Sequence, residues 1–225
     1  MNKTVVLALA AVVATATTGI VSAAAATTGS APACNYLVGQ PGTGKTLLSA
    51  DNQMDILSAD IGSDSANVTV VLRLADLTAL DPKAPGGRNY SLQFTAPGQA
   101  RTLYLTAEVD VVQSTAGTAM GTQTFDFGAL VPDGNGGAPL HVSGGRAATG
   151  ALDYSAHTIT LNVPVASWSP LAAMTPGVVL TSVAATATYV IGVAGSGVAG
   201  TGNTVKATTG FTLGTPTCVV PGKLS

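Results

Sequence analysis

The stretch "RNYSLQFTAPGQARTLYLTAEVDVV" (88–112) limits the fold more than any other part of the chain. It consists of two runs of alternating apolar and polar residues joined at Pro97-Gly98, the pattern of a β-hairpin. In its second arm Leu103, Leu105, Ala107 and Val109 point one way, while Thr102, Tyr104, Thr106, Glu108 and Asp110 point the other. The same period of two recurs in "NVTVVLRLADL" (67–77), "TQTFDFGAL" (122–130), "AATGALDYSAHTITLNVPV" (147–165) and "KATTGFTL" (206–213). Within the fourth of these, "DYSAH" reads as a turn between Leu152 and Ile159, with Asp153 placed to form an Asx-turn. No segment keeps an apolar stripe at i, i+3, i+4, i+7 for three turns, and 27 Gly and 12 Pro interrupt the chain too often for long helices. Short antiparallel strands with one polar face predict an all-β protein: an antiparallel β-sandwich, immunoglobulin-like or jelly-roll-like, with little or no helix after the N-terminal segment.

That N-terminal segment, "MNKTVVLALAAVVATATTGIVSAAAATTGSAPAC", has the three-part layout of a secretory signal peptide. Lys3 precedes an apolar run from Val5 to Ala14, and Val21-Ser22-Ala23 offers an A-x-A-like cleavage site, with alternatives up to Ala26. The apolar run is shorter than the ~20 residues that a membrane span needs. The expected organisation is a signal peptide over 1–23 with cleavage somewhere in 23–26, a disordered mature N-terminus over 24–33, and a single β-sandwich domain over 34–225. The expected location is extracellular. Cys34 and Cys218 are the two cysteines and bracket nearly the whole mature chain. In an oxidising compartment such a pair predicts a disulfide, two buried thiols being the alternative.

Charged residues make up 9% of the chain, against about 25% in an average soluble protein. This sparse and slightly acidic balance argues against a nucleic-acid groove, which needs clustered Lys and Arg, and against an anionic-membrane patch. The charge-free stretch "GVVLTSVAATATYVIGVAGSGVAG" (177–200) is long enough to span a bilayer, but Thr, Gly and Val suit strands better than helices. No membrane association is expected after signal cleavage.

Two nucleotide motifs occur as spelling. "GQPGTGKT" (39–46) fits G-x-x-x-x-G-K-[ST], and "GSGVAG" (195–200) fits G-x-G-x-x-G. The first requires a helix after the glycine loop and a parallel sheet, and neither is predicted. The second is followed by "TGNTVKATTG" in place of a helix. An exported protein also meets little ATP or GTP, so no nucleotide partner and no cofactor are expected. A calcium hypothesis attaches to Asp51, Asp55, Asp60 and Asp64, but their spacing matches no EF-hand and a strand would scatter them over both faces. "PDGNGG" (132–137) reads as a tight turn.

For catalysis, Glu108 and Asp110 share a strand face about 7 Å apart, within the range of glycosidase carboxylates. Aromatic residues, at 4%, supply little platform for a sugar, and His141 and His157 are expected in turns with no Ser/His or metal spacing around them. Trp168, the sole Trp, either stacks on a sugar ring or plugs one end of the sandwich, and the plug is preferred. Trp168 and Tyr104 are the candidate ligand-face residues.

"MDILSADIGSDSANVTVVLRLADL" (54–77) and "YSAHTITLNVPVASW" (154–168) resemble two signatures of secreted bacterial β-sandwich modules, among them modules related to the DOMON, family 9 carbohydrate-binding and glucodextranase C-terminal domains. The first signature pairs a D-[IL]-x-x-A/F-x-V/I segment with an apolar strand ending in D-L. The second is a turn followed by a T-I-T-hydrophobic-x-V-P strand. The resemblance spans about residues 34 to 200 and implies export and a sandwich fold. Such modules often carry a D-P-x-G-D turn able to bind calcium. In "GQPGTGK" Gln40 and Lys45 stand where those acids would be, which argues against a metal there. The expected role is that of a secreted, non-enzymatic binding or structural protein with a glycan or cell-envelope partner. The alternative is a secreted hydrolase using Glu108 and Asp110 with a histidine.

Overall fold

The computed structural model describes residues 36–39, 52–78, 86–113, 119–132, 134, 139–191 and 198–214. The signal peptide, the 24–33 segment, Cys34, Cys218, Asp51 and nearly all of "GQPGTGKT" lie outside these residues. The described chain forms twelve strands: β1 (Leu37–Val38), β2 (Ile56–Ser63), β3 (Asn67–Leu74), β4 (Gly86–Thr95), β5 (Leu103–Gln113), β6 (Ala119–Val131), β7 (Leu140–Ser143), β8 (Thr149–Asp153), β9 (Thr158–Pro164), β10 (Val179–Ile191), β11 (Val198–Lys206) and β12 (Phe211–Thr212). The only helical turns among the described residues are short 3₁₀ segments at Asn52–Met54 and Val165–Trp168.

Every strand pair is antiparallel. The smaller sheet has the order β1-β2-β3-β9-β8, and the larger has β11-β10-β4-β5-β6-β7, with β12 pairing to the start of β10. The all-β sandwich read from the alternation is therefore the observed fold. The hairpin at 88–112 is β4 and β5, and Gly98 (φ +74°) occupies the position after Pro97 where a type II turn needs positive φ.

Alternation sorts the residues as read. Tyr90, Leu92 and Phe94 of β4 and Leu103, Leu105, Ala107 and Val109 of β5 are buried, and all but Val109 join one core with Val68, Val70 and Leu72 of β3 and Ile159, Leu161 and Val163 of β9. After β9 the chain makes a 3₁₀ turn that drops Trp168 between the sheets. Its ring centroid lies 5.6 Å from that of Phe94 and 4.9 Å from that of Phe127. Trp168 has 0% exposure, so it is the plug and presents no face to a ligand.

One irregularity keeps the pattern in phase. In β10, Thr181 pairs with Thr95 and Ala184 with Gln93, so two residues of β10 face one of β4. This bulge lets Leu180 as well as Val183, Ala185 and Ala187 point into the core; an unbulged strand would turn one set outward. Ser182, inside the bulge, has φ +52°.

Three turns use side chains as expected of short polar residues. The Asp153 carboxylate accepts from Ser155 N (2.9 Å), Ser155 Oγ (2.6 Å) and Ala156 N (3.0 Å), the predicted Asx-turn. These bonds, led by the Ser155 hydroxyl, hold its pKa below the ordinary value. Asp64 accepts from Ala66 N and Asn67 N (2.6 and 2.7 Å) at the β2–β3 turn. His157 closes the β8–β9 turn at φ +53°, and its Nδ1 accepts from Leu77 N at 3.0 Å. The Asp76 carboxylate lies 3.5 Å from the same nitrogen.

Some expectations need correction. His141 lies within β7, not in a turn, and residues 206–213 are not one strand, because the chain leaves β11 at Lys206 and re-enters a sheet at Phe211. The end of "GSGVAG" runs into β11, so no helix follows the glycines.

Candidate functional site

The outward face of the larger sheet carries a groove of about 790 Å³. Register arranges this outward face, part of which lines the groove, in rows across four to six strands. One row runs Thr188–Asn89–Glu108–Thr124, the next Thr204–Thr186–Ser91–Thr106–Asp126, and the third Lys206–Ala184–Gln93–Tyr104–Gly128–Ser143. Period-two alternation places these residues opposite the core-facing set, so burying Leu92 and Leu105 forces Ser91 and Thr106 onto this face. Ser182 of the bulge lines the groove, and so do Leu130, Pro139 and His141 from β6, β7 and the segment between them.

Side chains on the floor bond to one another. Asn89 Nδ2 donates to Glu108 Oε1 (3.0 Å), while Thr106 Oγ1 donates to Asn89 Oδ1 (2.8 Å). Gln93 Nε2 reaches Ser91 Oγ at 3.3 Å. Towards β7, Tyr104 Oη donates to Asp126 Oδ2 (2.8 Å), and Ser143 Oγ donates to Asp126 Oδ1 (2.6 Å). The Tyr104 ring is stacked beneath His141, with centroids 4.4 Å apart and planes at 25°. Burial first, then the bond to the Asp126 carboxylate and the negative charges of Asp126 and Glu108, raise the Tyr104 phenol far above its ordinary pKa. It is a donor locked to Asp126, not an acid available at neutral pH.

Tyr104 has 0% exposure. The expectation that Tyr104 and Trp168 form an aromatic ligand face is therefore corrected: His141 roofs one ring and the two sheets enclose the other. Gly128 makes the first arrangement fit, since a Cβ there would stand 2.9 Å from Tyr104 Oη and 2.0 Å from the Val142 carbonyl oxygen.

Of the residues weighed for catalysis, Glu108 and His141 line the same groove, but no hydrogen bond joins them. The Asp110 side chain lies outside what the structure describes, and His157 is on the smaller sheet's β8–β9 turn. The three described acids of the series, Asp55, Asp60 and Asp64, lie apart with separate partners. Asp55 is buried and accepts from Asn203 (3.2 Å), Asp60 is paired with Arg73 (2.5 Å), and Asp64 holds its turn. Among the described residues no group of three or more His, Cys, Asp or Glu is placed to hold a metal ion.

The groove residues Asn89, Ser91, Gln93, Thr186, Thr204 and Lys206 were not singled out by sequence. The available signal was the polar half of each alternating run, which reads equally well as an ordinary solvated face. No protein-family model matches this chain, and no curated protein matches it.

Proposed function

We propose that this is an extracellular, non-catalytic binding protein whose ligand, a glycan, lies in the groove on the outer face of the larger sheet. The observation that carries the reading is the lining. Hydroxyls and amides from three strands, β4, β10 and β11, converge in one concavity with Thr102 just before β5, and match the closely spaced donors and acceptors of a polyhydroxylated chain. Pre-formed bonds between these side chains lower the ordering cost of binding. Secretion rests on the N-terminal layout and the resemblance to exported sandwich modules.

The Cys34–Cys218 disulfide is part of the same proposal. The Tyr36 hydroxyl bonds the Thr209 carbonyl, and the Tyr36 and Phe211 rings meet at 5.5 Å, so the residue two positions after Cys34 meets a segment seven to nine positions before Cys218.

A glycan array probed with the secreted protein tests the function. Retention on neutral oligosaccharides is expected, and a groove-filling Thr186→Trp variant with an unchanged melting midpoint should lose it. Retention that survives this variant would move the site elsewhere, and an array without any bound glycan would refute the reading.

A further inference from the structure

We infer that Glu108 is the specificity-determining residue of the groove: a pre-set carboxylate acceptor for a pair of adjacent ring hydroxyls. The groove then selects neutral glycans with a free vicinal diol over N-acetylated or cationic ones. This rests on the glycan reading above and adds which sugars are taken, and by which atoms.

The geometry starts from the register. Asn89 and Glu108 are directly opposite on β4 and β5, and Thr106 is Asn89's diagonal neighbour. A carboxylate can only accept, so the Asn89 amide must turn its nitrogen to Glu108 and its oxygen to the Thr106 hydroxyl, as observed at 3.0 and 2.8 Å. Thr106 is fully buried, which anchors the relay in the sheet. Glu108 is thus held through Oε1, while Oε2 has no partner among the described residues and the side chain lines the groove. A carboxylate fixed in this way offers the remaining lone pairs of both oxygens, spaced to receive two neighbouring O–H donors.

The charge balance of the groove favours a neutral ligand. The other ionic side chain on its described lining, Lys206, stands on β11, three strands across and two rows along from Glu108, roughly 20 Å away at ~4.8 Å per strand and ~3.3 Å per residue. The two opposite charges leave no single-signed field to attract a charged polymer. Most other polar residues of the lining are Ser, Thr, Asn and Gln, which bond hydroxyls without a preference for charge, and the nearby Asp126 carboxylate is already held by Tyr104 and Ser143.

The test is calorimetric titration of the full secreted protein and its Glu108→Gln variant with four hexamers: cellohexaose, xylohexaose, chitohexaose and fully deacetylated chitosan hexamer. The first two carry free 2,3-diols. In chitohexaose the acetamido group removes one hydroxyl of each pair, and the chitosan hexamer carries ammonium groups instead. Glu108→Gln keeps shape and an acceptor for Asn89, and its melting midpoint serves as the control for folding. The expected result is binding of at least one diol-bearing hexamer, chitohexaose and the chitosan hexamer each at least tenfold weaker, and a tenfold or greater loss in Glu108→Gln. Tightest binding of the chitosan hexamer would overturn the assignment in favour of cation recognition. Diol-dependent binding indifferent to Glu108→Gln would remove Glu108's role and leave the glycan reading standing. Binding of none of the four would sink both.

Discussion

At the scale of single residues, two side chains show how far backbone and environment alter what a residue type suggests. Ser182 holds φ +52° in the β10 bulge, a conformation costing a non-glycine residue roughly 1–2 kcal/mol. Ser182→Gly is expected to be neutral or stabilising by up to about 1 kcal/mol, since relief of strain outweighs the added freedom of the unfolded chain. Ser182→Val should destabilise by about 1–2 kcal/mol, because β-branching is poorly tolerated at positive φ. Urea denaturation of the pair measures both. Tyr104, read from sequence as an exposed aromatic, is instead a buried phenol bonded to Asp126. Its pKa is raised in the folded state, so its contribution is complete below the unfolded value near 10 and is lost as the pH climbs above it. Tyr104→Phe removes this alkaline sensitivity, so the stability gap between wild type and variant should narrow or reverse as pH rises past about 10. A gap that stays constant across that range would contradict the assignment.

At the scale of elements, the strands were legible wherever alternation was long. β3, β4, β5 and β9 follow the apolar positions of the sequence closely, since each buries one face against the other sheet. β7 escaped notice because its four residues, Leu140–Ser143, are all exposed and show no contrast between faces. It exists because β6 offers a free edge and Gly128 allows close approach. Gly128→Ala puts a methyl group 2.0 Å from the Val142 carbonyl oxygen. The expected consequence is detachment of β7 and a loss of about 1–3 kcal/mol. Hydrogen exchange would show it as lost protection in 140–143 before the other strands are affected. Protection retained in these residues would mean that the β6–β7 pair can absorb the side chain. The discarded dinucleotide motif belongs to this scale too: its glycines lead into a strand, and a phosphate cradle needs the N-terminus of a helix.

For the whole molecule, the meeting of Tyr36 with Thr209 and Phe211 joins the first strand to the last turn and closes a loop around almost the entire domain. A Cys34–Cys218 bond across that junction would stabilise by about 4–5 kcal/mol in the chain-entropy model. Reduction should therefore lower the melting midpoint markedly, while Cys34→Ser/Cys218→Ser should melt with the reduced protein and gain nothing from oxidant. If both thiols in the non-reduced secreted protein react with an alkylating reagent, the bond is absent.

The fold class could be read from the chain because period-two alternation and glycine–proline punctuation are local properties, and burial of one face per strand turns them into a sandwich. The Asx-turn at Asp153, the type II turn at Pro97-Gly98 and the burial of Trp168 follow from the same local chemistry. The groove is different in kind. Asn89, Glu108, Thr186 and Lys206 come from four strands separated by up to 117 positions, and only sheet order and register bring them together. Alternation says which side of a strand is polar, whereas pairing decides which polar residues become neighbours, and pairing is a long-range property that no single run of residues carries.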